Sequence, residues 1–292
     1  MGAHPDVDDL SDLPYPFALS DEDLGDYELP DAEHPRDDKI DQAKDAVLKT
    51  LFQNPRAVYY ERQILILLEE RFFHWITAKA LHELWEEELI QSEKVLLGEK
   101  THIRFYMAKG HRNWRRQAAE IKDLVLQFSE PSFGYALGHQ GETLFDAALP
   151  KFGFMPDGEN VREYNGVKWL HSEHDLDRVF VRDGIAYGTE IKNKLNYIER
   201  EELTIKLMMC EAFGIRPLFI MRGVPKSYIH RINQAGGYCI RFRYQLYPHG
   251  AVGFAKLVRE TLGIPVDAPK AISDATIQRF LDWHLATLPP QE

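Results

Sequence analysis

Residues 173–193, EHDLDRVFVRDGIAYGTEIKN, contain an Asp, a Glu and a Lys whose types and spacing can support hydrolytic chemistry. Asp177 stands before one short apolar run, and Glu190 and Lys192 end a second. Because side chains alternate across a strand, Glu190 and Lys192 share one face while Ile191 points into the core. Two carboxylates and a backbone carbonyl suit a hard divalent cation such as Mg²⁺. A lysine beside them can stabilise a phosphate or an activated water.

The residues between these charges predict a β-hairpin. Residues 179–181 and 185–187 are two short apolar runs. Asp183-Gly184 between them is a tight-turn signal, because glycine adopts positive φ without a Cβ penalty. The hairpin would bring Asp177 to the end of the second strand, where the other two charged residues lie.

This arrangement of an Asp, a hairpin and Glu190-x-Lys192 resembles the PD-(D/E)XK superfamily, the restriction-endonuclease-like, metal-dependent phosphodiesterases. The resemblance covers roughly residues 133–243, close to half of the chain. It implies that Asp177 and Glu190 hold Mg²⁺ or Mn²⁺ with help from the Ile191 carbonyl. It also implies that Lys192 orients the attacking water or stabilises developing charge.

The resemblance implies one further acidic residue in the site. In this family a Glu on the first helix commonly reaches the metal, and Glu142 occupies the matching place; the alternative is a solvated helix carboxylate. The family's acid normally sits just before the apolar strand, which selects Asp177 and leaves Asp175 in reserve. A bare E-x-K is a weak signal, since Glu120-Ile121-Lys122 has the same spacing inside a helical stretch.

The chain that follows Lys192 predicts an α/β fold. A helix at about 199–213, with Leu207 and Met208 among its buried positions, is followed by a buried strand at 217–221. A helix near 227–234 and a strand at 238–242 come next. Strands alternating with helices indicate parallel neighbours joined by right-handed crossovers. This order matches the three-layer α/β/α core, with a mixed sheet, of the resembled nucleases.

The segment from residue 40 to residue 107 predicts three helices and a hairpin, a pattern that resembles a winged helix-turn-helix domain. Its third helix carries four glutamates, which repel phosphates, so base-specific reading of DNA is not supported. Basic residues in the hairpin and beyond it favour contact with nucleic acid; the alternative is a protein-interaction or spacer role. The predicted nucleic-acid contacts in the whole chain are Lys94, Lys100, Arg104, Arg112, Lys194, Arg200 and Lys206.

The net charge of −11 is concentrated at the N-terminus. Residues 1–38 contain 13 of the 46 acidic residues and one basic residue, so the remainder is nearly neutral. Such a segment is typical of a disordered tail, which either solubilises the protein or covers a basic cleft. The predicted organisation is an acidic disordered tail at 1–38, a winged-helix-like domain at 39–110, a linker helix at 111–130, a nuclease-like domain at 131–270 and a C-terminal helix at 271–292.

Several classes of protein do not fit the sequence. No run approaches the roughly 20 apolar residues of a membrane helix, and the acidic N-terminus lacks a signal core, so a cytoplasmic location is expected. The two cysteines, Cys210 and Cys239, lie in apolar surroundings and indicate neither a disulfide nor a zinc site. No G-x-x-x-x-G-K-[ST] motif is present, so no nucleotide-driven motor is expected.

The sequence therefore predicts a Mg²⁺- or Mn²⁺-dependent endonuclease that hydrolyses DNA, with RNA less favoured, in defence, restriction or repair. A homodimer that cuts both strands is a further hypothesis. The alternatives are a non-catalytic winged-helix regulator with a degenerate nuclease domain, and a structural adaptor that uses the acidic tail.

Overall fold

A computed structural model describes residues 38–97 and 101–288, and the chain divides into two compact α/β units. The first contains residues 38–133 and 256–264; the second contains residues 134–255 and 265–288. Lys100 and all of the predicted acidic tail except Asp38 lie outside the described residues. None of the described helices combines the length and the apolar character needed to cross a membrane.

The first unit is a helical layer beside a small antiparallel sheet, with strand order β1-β3-β2. Apolar residues at helical spacing, among them Ala43, Val47, Ala80 and Leu84, are completely buried between the helices. Its elements are α1 (Asp38–Gln53), β1 (Val58–Tyr60), α2 (Glu61–Leu68), α3 (His74–Glu86), β2 (Ile90–Leu97), β3 (Thr101–Ala108) and α4 (Trp114–Ser129).

The second unit is built around a five-stranded mixed sheet. Its elements are α5 (Pro131–Ala148), β4 (Met155–Val161), β5 (Glu163–Tyr164), β6 (Val167–Lys168), β7 (Leu176–Arg182), β8 (Ile185–Lys192), α6 (Arg200–Phe213), β9 (Arg216–Met221), α7 (Lys226–Gln234), β10 (Tyr238–Arg241), β11 (Gln245–Leu246), α8 (Val252–Leu262), β12 (Val266–Asp267) and α9 (Asp274–Ala286). Helices α5 and α8 each extend across a boundary between the units.

The sheet has strand order β10-β9-β8-β7-β4, and its pairing changes once, from antiparallel to parallel. Strands β4, β7 and β8 are antiparallel, whereas β8, β9 and β10 are parallel. The predicted hairpin between β7 and β8 is confirmed, with Arg178 opposite Thr189 and Asp183 (φ 51°) and Gly184 (φ 73°) in its turn. The change to parallel pairing occurs after β8, where α6 supplies the crossover.

Helices cover both faces of this sheet. On one face, α5 and α9 bury an aromatic cluster that includes Phe154, Tyr187 and Phe280. On the other, α6 packs over the strands through Met209 and Phe213. Strands β7 and β8 therefore lie inside a layered core.

Helix α9 is part of this core, whereas the sequence pattern set residues 271–292 apart as a separate outer helix. Ile277, Phe280 and His284 are all completely buried. Tyr187 donates its hydroxyl hydrogen bond to His284 Nδ1 at 2.8 Å, and His284 Nε2 contacts Asp183 Oδ2 at 2.9 Å. This chain of contacts fixes α9 to the turn of the β7–β8 hairpin.

Two glycines allow helices to approach β8 closely. A Cβ on Gly188 would lie 2.7 Å from Cys210 Sγ on α6 and 2.8 Å from Leu176 Cδ1. A Cβ on Gly141 of α5 would lie 2.9 Å from the Cβ of Asn193, the residue that follows β8. The absence of a side chain at these positions places the helices directly against the strand that carries the candidate site.

The predicted buried side of α6 is wrong at Met208 and Ala212, which are exposed, and Leu207 is only partly buried. Met208 was expected in the core but is 48% exposed, while Met209 is completely buried. The buried side of α6 follows Leu203, Lys206, Met209 and Cys210, a helical stripe that includes a lysine. Because a charged residue occupies part of the inward face, hydrophobicity alone does not locate that face.

Candidate active site

Asp177 and Glu190 are brought together by the hairpin. The β7–β8 register pairs Arg178 with Thr189. Extended by one residue, the same register puts Asp177 opposite Glu190. Asp177 Oδ2 accepts a hydrogen bond of 2.6 Å from the backbone N–H of Ile191, which fixes the orientation of its carboxylate. Asp177 is half-buried and Glu190 is 1% exposed.

Each oxygen of Glu190 contacts a different lysine. Lys192 Nζ lies 2.6 Å from Glu190 Oε1, and Lys206 Nζ lies 2.5 Å from Glu190 Oε2. Among the described residues no hydrogen bond of normal geometry reaches either oxygen, so the two ammonium groups provide the compensation for this buried charge.

Lys192 also contacts Glu202, which α6 contributes from its first turn. The distance from Lys192 Nζ to Glu202 Oε1 is 2.7 Å. Burial lowers the pKa of Lys192, but the carboxylates of Glu190, Glu202 and Asp177 together raise it above its ordinary value. Lys192 is therefore a stable ammonium group at neutral pH.

The two central carboxylates have raised pKa values. Burial is the main cause for both. The negative charge of Asp177 raises the pKa of Glu190 further. For Asp177, the nearby Lys192 and the Ile191 N–H oppose the shift. Glu202 behaves in the opposite way: burial alone would raise its pKa, but Lys192 and Lys206 hold it below its ordinary value.

Glu142 lies near this cluster but is directed toward Arg178. Arg178 is buried and makes a bidentate contact with Asp146, at 3.0 and 3.2 Å. The same guanidinium contacts Glu142 Oε2 at 3.2 Å and Glu159 Oε1 at 3.3 Å. Arg178 follows Asp177 in the strand, so its side chain points to the opposite face, where α5 supplies Glu142 and Asp146. Glu142 is still close enough to raise the pKa of Asp177.

Two buried polar side chains fix the chain just after Lys192. Asn193 donates to the carbonyls of Leu137 (2.7 Å) and Leu246 (2.6 Å), and its Oδ1 accepts the N–H of Leu246 at 2.7 Å. Arg222 donates to the carbonyls at positions 194 and 195, at 2.9 and 2.8 Å. These contacts fix the segment that carries Lys192, which restricts where its side chain can reach.

The predicted nucleic-acid contacts of the first unit lie on its hairpin and after it. Lys94 is exposed and stands opposite Arg104 across β2 and β3. Arg104 is partly exposed, donates to Ser92 Oγ at 3.1 Å and lies 5.9 Å from the centre of the Trp85 ring. Arg112 is exposed between β3 and α4.

Three glutamates in and just after α3 have lysine partners that offset part of their negative charge. Lys44 Nζ lies 3.5 Å from Glu83 and 2.5 Å from Glu87, and Lys109 lies 3.1 Å from Glu88. The repulsion expected between this acidic end of α3 and a phosphate backbone is reduced accordingly.

The predicted contacts of the second unit differ in exposure. Lys194 is exposed, and Arg200 is partly exposed at the start of α6. Lys206 is 3% exposed and its ammonium group contacts Glu190, so it belongs to the interior of the candidate site and not to an outer binding surface.

Sequence reasoning missed the roles of Arg178, Glu202, Asn193 and Arg222. Arg178 is the residue after Asp177 in a strand, and such a position on the opposite face gives no signal of its own. Glu202 stands four residues before Lys206, a spacing that places both on one side of a helix. That spacing was the one local signal, and it is equally typical of a solvated helix face.

The donor set suits a hard divalent cation in its chemistry. Asp177 and Glu190 supply carboxylate oxygens, and Ile191, which follows Glu190, offers a backbone carbonyl. Across residues 38–97 and 101–288, no group of three His, Cys, Asp or Glu side chains is gathered closely enough to hold a metal. Glu142, the third predicted carboxylate, contacts Arg178 and is therefore held apart from Asp177 and Glu190.

Comparisons with known proteins give no match for this chain: no family model, no curated protein and no solved structure is significantly similar to it.

Proposed function

We propose that this protein is a Mg²⁺- or Mn²⁺-dependent nuclease that hydrolyses phosphodiester bonds of DNA. One observation carries the proposal: Asp177 stands opposite Glu190-x-Lys192 on adjacent strands, with Glu190 buried and its charge compensated by lysines. A buried carboxylate beside a second carboxylate is costly, and proteins keep such groups mainly at functional sites.

The layered fold supports the proposal. A helix, antiparallel strands, a crossover helix and parallel strands form a mixed sheet that is covered on both faces. This arrangement agrees with the three-layer core of the PD-(D/E)XK nucleases, which the sequence resembles. Similarly, helices α1 to α3 and the β2–β3 hairpin of the first unit agree with a winged helix-turn-helix domain. Fold alone does not establish activity, so the proposal depends on the site.

Asp177, Glu190 and the Ile191 carbonyl would hold the metal, and Glu142 would add a carboxylate only by leaving its contact with Arg178. When bound, the metal lowers the pKa of a coordinated water and neutralises charge on the phosphate. Asp177 is oriented for this role by the N–H of Ile191. Lys192, as an ammonium group, donates a hydrogen bond to the phosphate or the water and stabilises the negative charge that develops.

Exposed or partly exposed basic residues in both units support a nucleic-acid substrate, and we propose DNA rather than RNA. Lys94, Arg104 and Arg112 would contact phosphates from the first unit, and Lys194 and Arg200 from the second. These contacts would position the backbone without reading sequence. A second copy of the chain would be needed for cutting both strands at one place, so we include dimer formation as part of the hypothesis.

The proposal is tested by incubating the purified protein with plasmid, single-stranded DNA and RNA in Mg²⁺, Mn²⁺ or EDTA. Glu190→Gln and Lys192→Met should each abolish metal-dependent cutting. The chain provides its own matched control, since Glu120 and Lys122 have the same spacing on α4. Glu120→Gln and Lys122→Met should cut like the wild type.

Folding of each variant is checked by circular dichroism, because Glu190 is buried. Binding to DNA without cutting in any metal would contradict the nuclease and favour the non-catalytic regulator. Cutting that persists in Glu190→Gln would place the activity elsewhere or in a contaminant.

A further inference from the structure

The two lysines that contact Glu190 differ in their freedom to move. Lys206 is 3% exposed, donates to the backbone carbonyl of Asp175 and lies 3.9 Å from Asp175 Oδ1. The side chain of Lys192 is 17% exposed and has a close second carboxylate partner, Glu202, at 2.7 Å. Lys206 is therefore enclosed with only a long second carboxylate contact, whereas Lys192 is more exposed and lies between two close carboxylates.

This difference matters because a metal ion on Glu190 would share that carboxylate with two ammonium groups. A divalent cation and an ammonium group on the same buried carboxylate repel each other, because little water is present to screen their charges. One lysine must therefore withdraw. Lys206 would have to carry its charge through packed core, which is costly, so Lys192 is the group that can leave.

We propose that Glu202 is a positioning residue that receives the Lys192 ammonium group when Glu190 coordinates the metal ion. This inference rests on the nuclease function proposed above. Glu202 Oε1 already contacts Lys192 Nζ, so the transfer requires the loss of one contact and no search for a new partner. Lys206 keeps Glu190 Oε2 and fixes the orientation of the carboxylate throughout.

The transfer keeps Lys192 beside the reacting phosphate. Without Glu202, the displaced ammonium group would either remain on Glu190 and oppose metal binding or extend into solvent, away from the substrate. Ionised Glu202 on the first turn of α6 prevents both outcomes, and the positive end of the helix dipole favours its negative charge.

The experiment measures the unfolding temperature of the full chain, without DNA, against the concentration of Mg²⁺ or Mn²⁺. A ligand that binds the folded state raises this temperature, so the curve gives the concentration at which the metal binds. Four proteins are compared: wild type, Glu202→Gln, Lys192→Met and the double variant. Glu202→Gln should need at least about fivefold more metal than the wild type, a typical coupling between sites. Lys192→Met should need less than the wild type.

The double variant separates the transfer from simple attraction between Glu202 and the metal. If Glu202 acts by receiving Lys192, then Glu202→Gln has little effect once Lys192 is replaced by Met. An equal effect in both backgrounds would overturn the proposal, because Glu202 would then act only through its charge. Glu201→Gln, an exposed neighbour on the same turn, should match the wild type. If Lys192→Met does not fold, Lys192→Gln takes its place in the same comparison.

The outcomes distinguish this inference from the proposed function. A wild type whose unfolding temperature does not respond to either metal would contradict both. A wild type that responds, together with an identical response in Glu202→Gln, would contradict only the role of Glu202.

Discussion

Arg178 connects three carboxylates that come from two different elements. It contacts Glu142 and Asp146 of α5 and Glu159 of β4, and it is itself buried. Glu142 and Asp146 are partly exposed and Glu159 is exposed, but the guanidinium between them is buried. Removing the guanidinium would leave these negative charges close together without a compensating cation, which lowers the free energy of unfolding.

We expect Arg178→Met to lower the free energy of unfolding by roughly 2–3 kcal/mol at neutral pH, less than for a fully buried pair because the partners are partly hydrated. Urea unfolding measures this change. Arg162→Met provides the comparison, since Arg162 pairs with exposed Glu173 at 2.8 Å. That variant should lose less than about 1 kcal/mol. Equal losses would show that the Arg178 network is no stronger than a surface pair.

Asp183 predicts a specific response to acid. The hydrogen bond from His284, followed by that from Arg182, lowers the pKa of Asp183 below its ordinary value of 3.8. A lowered pKa in the folded state means that the contribution of Asp183 to stability is complete above pH 3.8 and is lost as the pH falls further. The wild type should therefore lose stability below this pH more steeply than Asp183→Asn.

Thermal unfolding between pH 2 and pH 6 tests the difference, since other acid effects are common to both proteins. Asn tolerates the positive φ of 51° at this position, so the substitution does not add backbone strain. Parallel pH profiles would show that the contact with His284 contributes nothing to stability.

At this same scale, the sequence predicted that some residues of the candidate site lie together and missed others for a definable reason. Asp177, Glu190 and Lys192 could be found because one hairpin brings them together, and a hairpin is a local structure with a local turn signal. The contacts of Lys206 and Glu202 could not be found, because they depend on where α6 lies over β8. From helical spacing alone, Lys206 is indistinguishable from a solvated lysine.

Among the elements, β8 depends on Gly188 for its contact with α6. We expect Gly188→Ala to lower the free energy of unfolding by about 1–3 kcal/mol, because its Cβ would overlap Cys210 and Leu176. The substitution should also reduce any metal response, since α6 carries Glu202 and Lys206. Urea unfolding and metal-dependent thermal unfolding measure the two effects.

Gly138 of α5 gives the matching control. A Cβ at this position has nothing within 4 Å, and the residue lies inside a helix. Gly138→Ala should therefore stabilise the protein by up to about 1 kcal/mol. If the two substitutions changed stability alike, close packing at Gly188 would not be the cause.

Element types were predictable where the pattern was simple. Residues 179–181 and the turn at Asp183-Gly184 indicated the β7–β8 hairpin that the structure contains. The role of α9 was not predictable, because nothing in residues 273–288 identifies the Tyr187 hydroxyl as a partner for His284. The two are 97 residues apart in the chain.

For the whole molecule, the proposed function predicts how DNA binding depends on salt. Each lysine or arginine that neutralises a phosphate contributes about 0.9 to the slope of log affinity against log salt concentration. Lys94→Gln and Arg104→Gln should each reduce that slope by about this amount and weaken binding to all sequences alike. Fluorescence anisotropy with labelled duplexes of different sequence measures both quantities.

Lys256→Gln is the control for these variants. Lys256 is exposed on α8, where it contacts Glu260 at 3.8 Å, and it is not among the predicted contacts. Its slope should equal that of the wild type. An unchanged slope in Lys94→Gln and Arg104→Gln would contradict the assignment of the β2–β3 hairpin as a nucleic-acid surface.

Because α9 attaches to the hairpin, the ribosome must synthesise this helix before the sheet can be fully covered. At about 5–20 residues per second, a ribosome needs roughly 5–20 s to add the residues between Tyr187 and His284. During that interval, the aromatic face of the new sheet lacks the helix that later covers it. A chain released before α9 is made would carry Asp177, Glu190 and Lys192 on an incompletely covered sheet. Chaperones and proteases could then reach the exposed apolar face. Completion of α9 thus coincides with burial of the sheet that supports the candidate site.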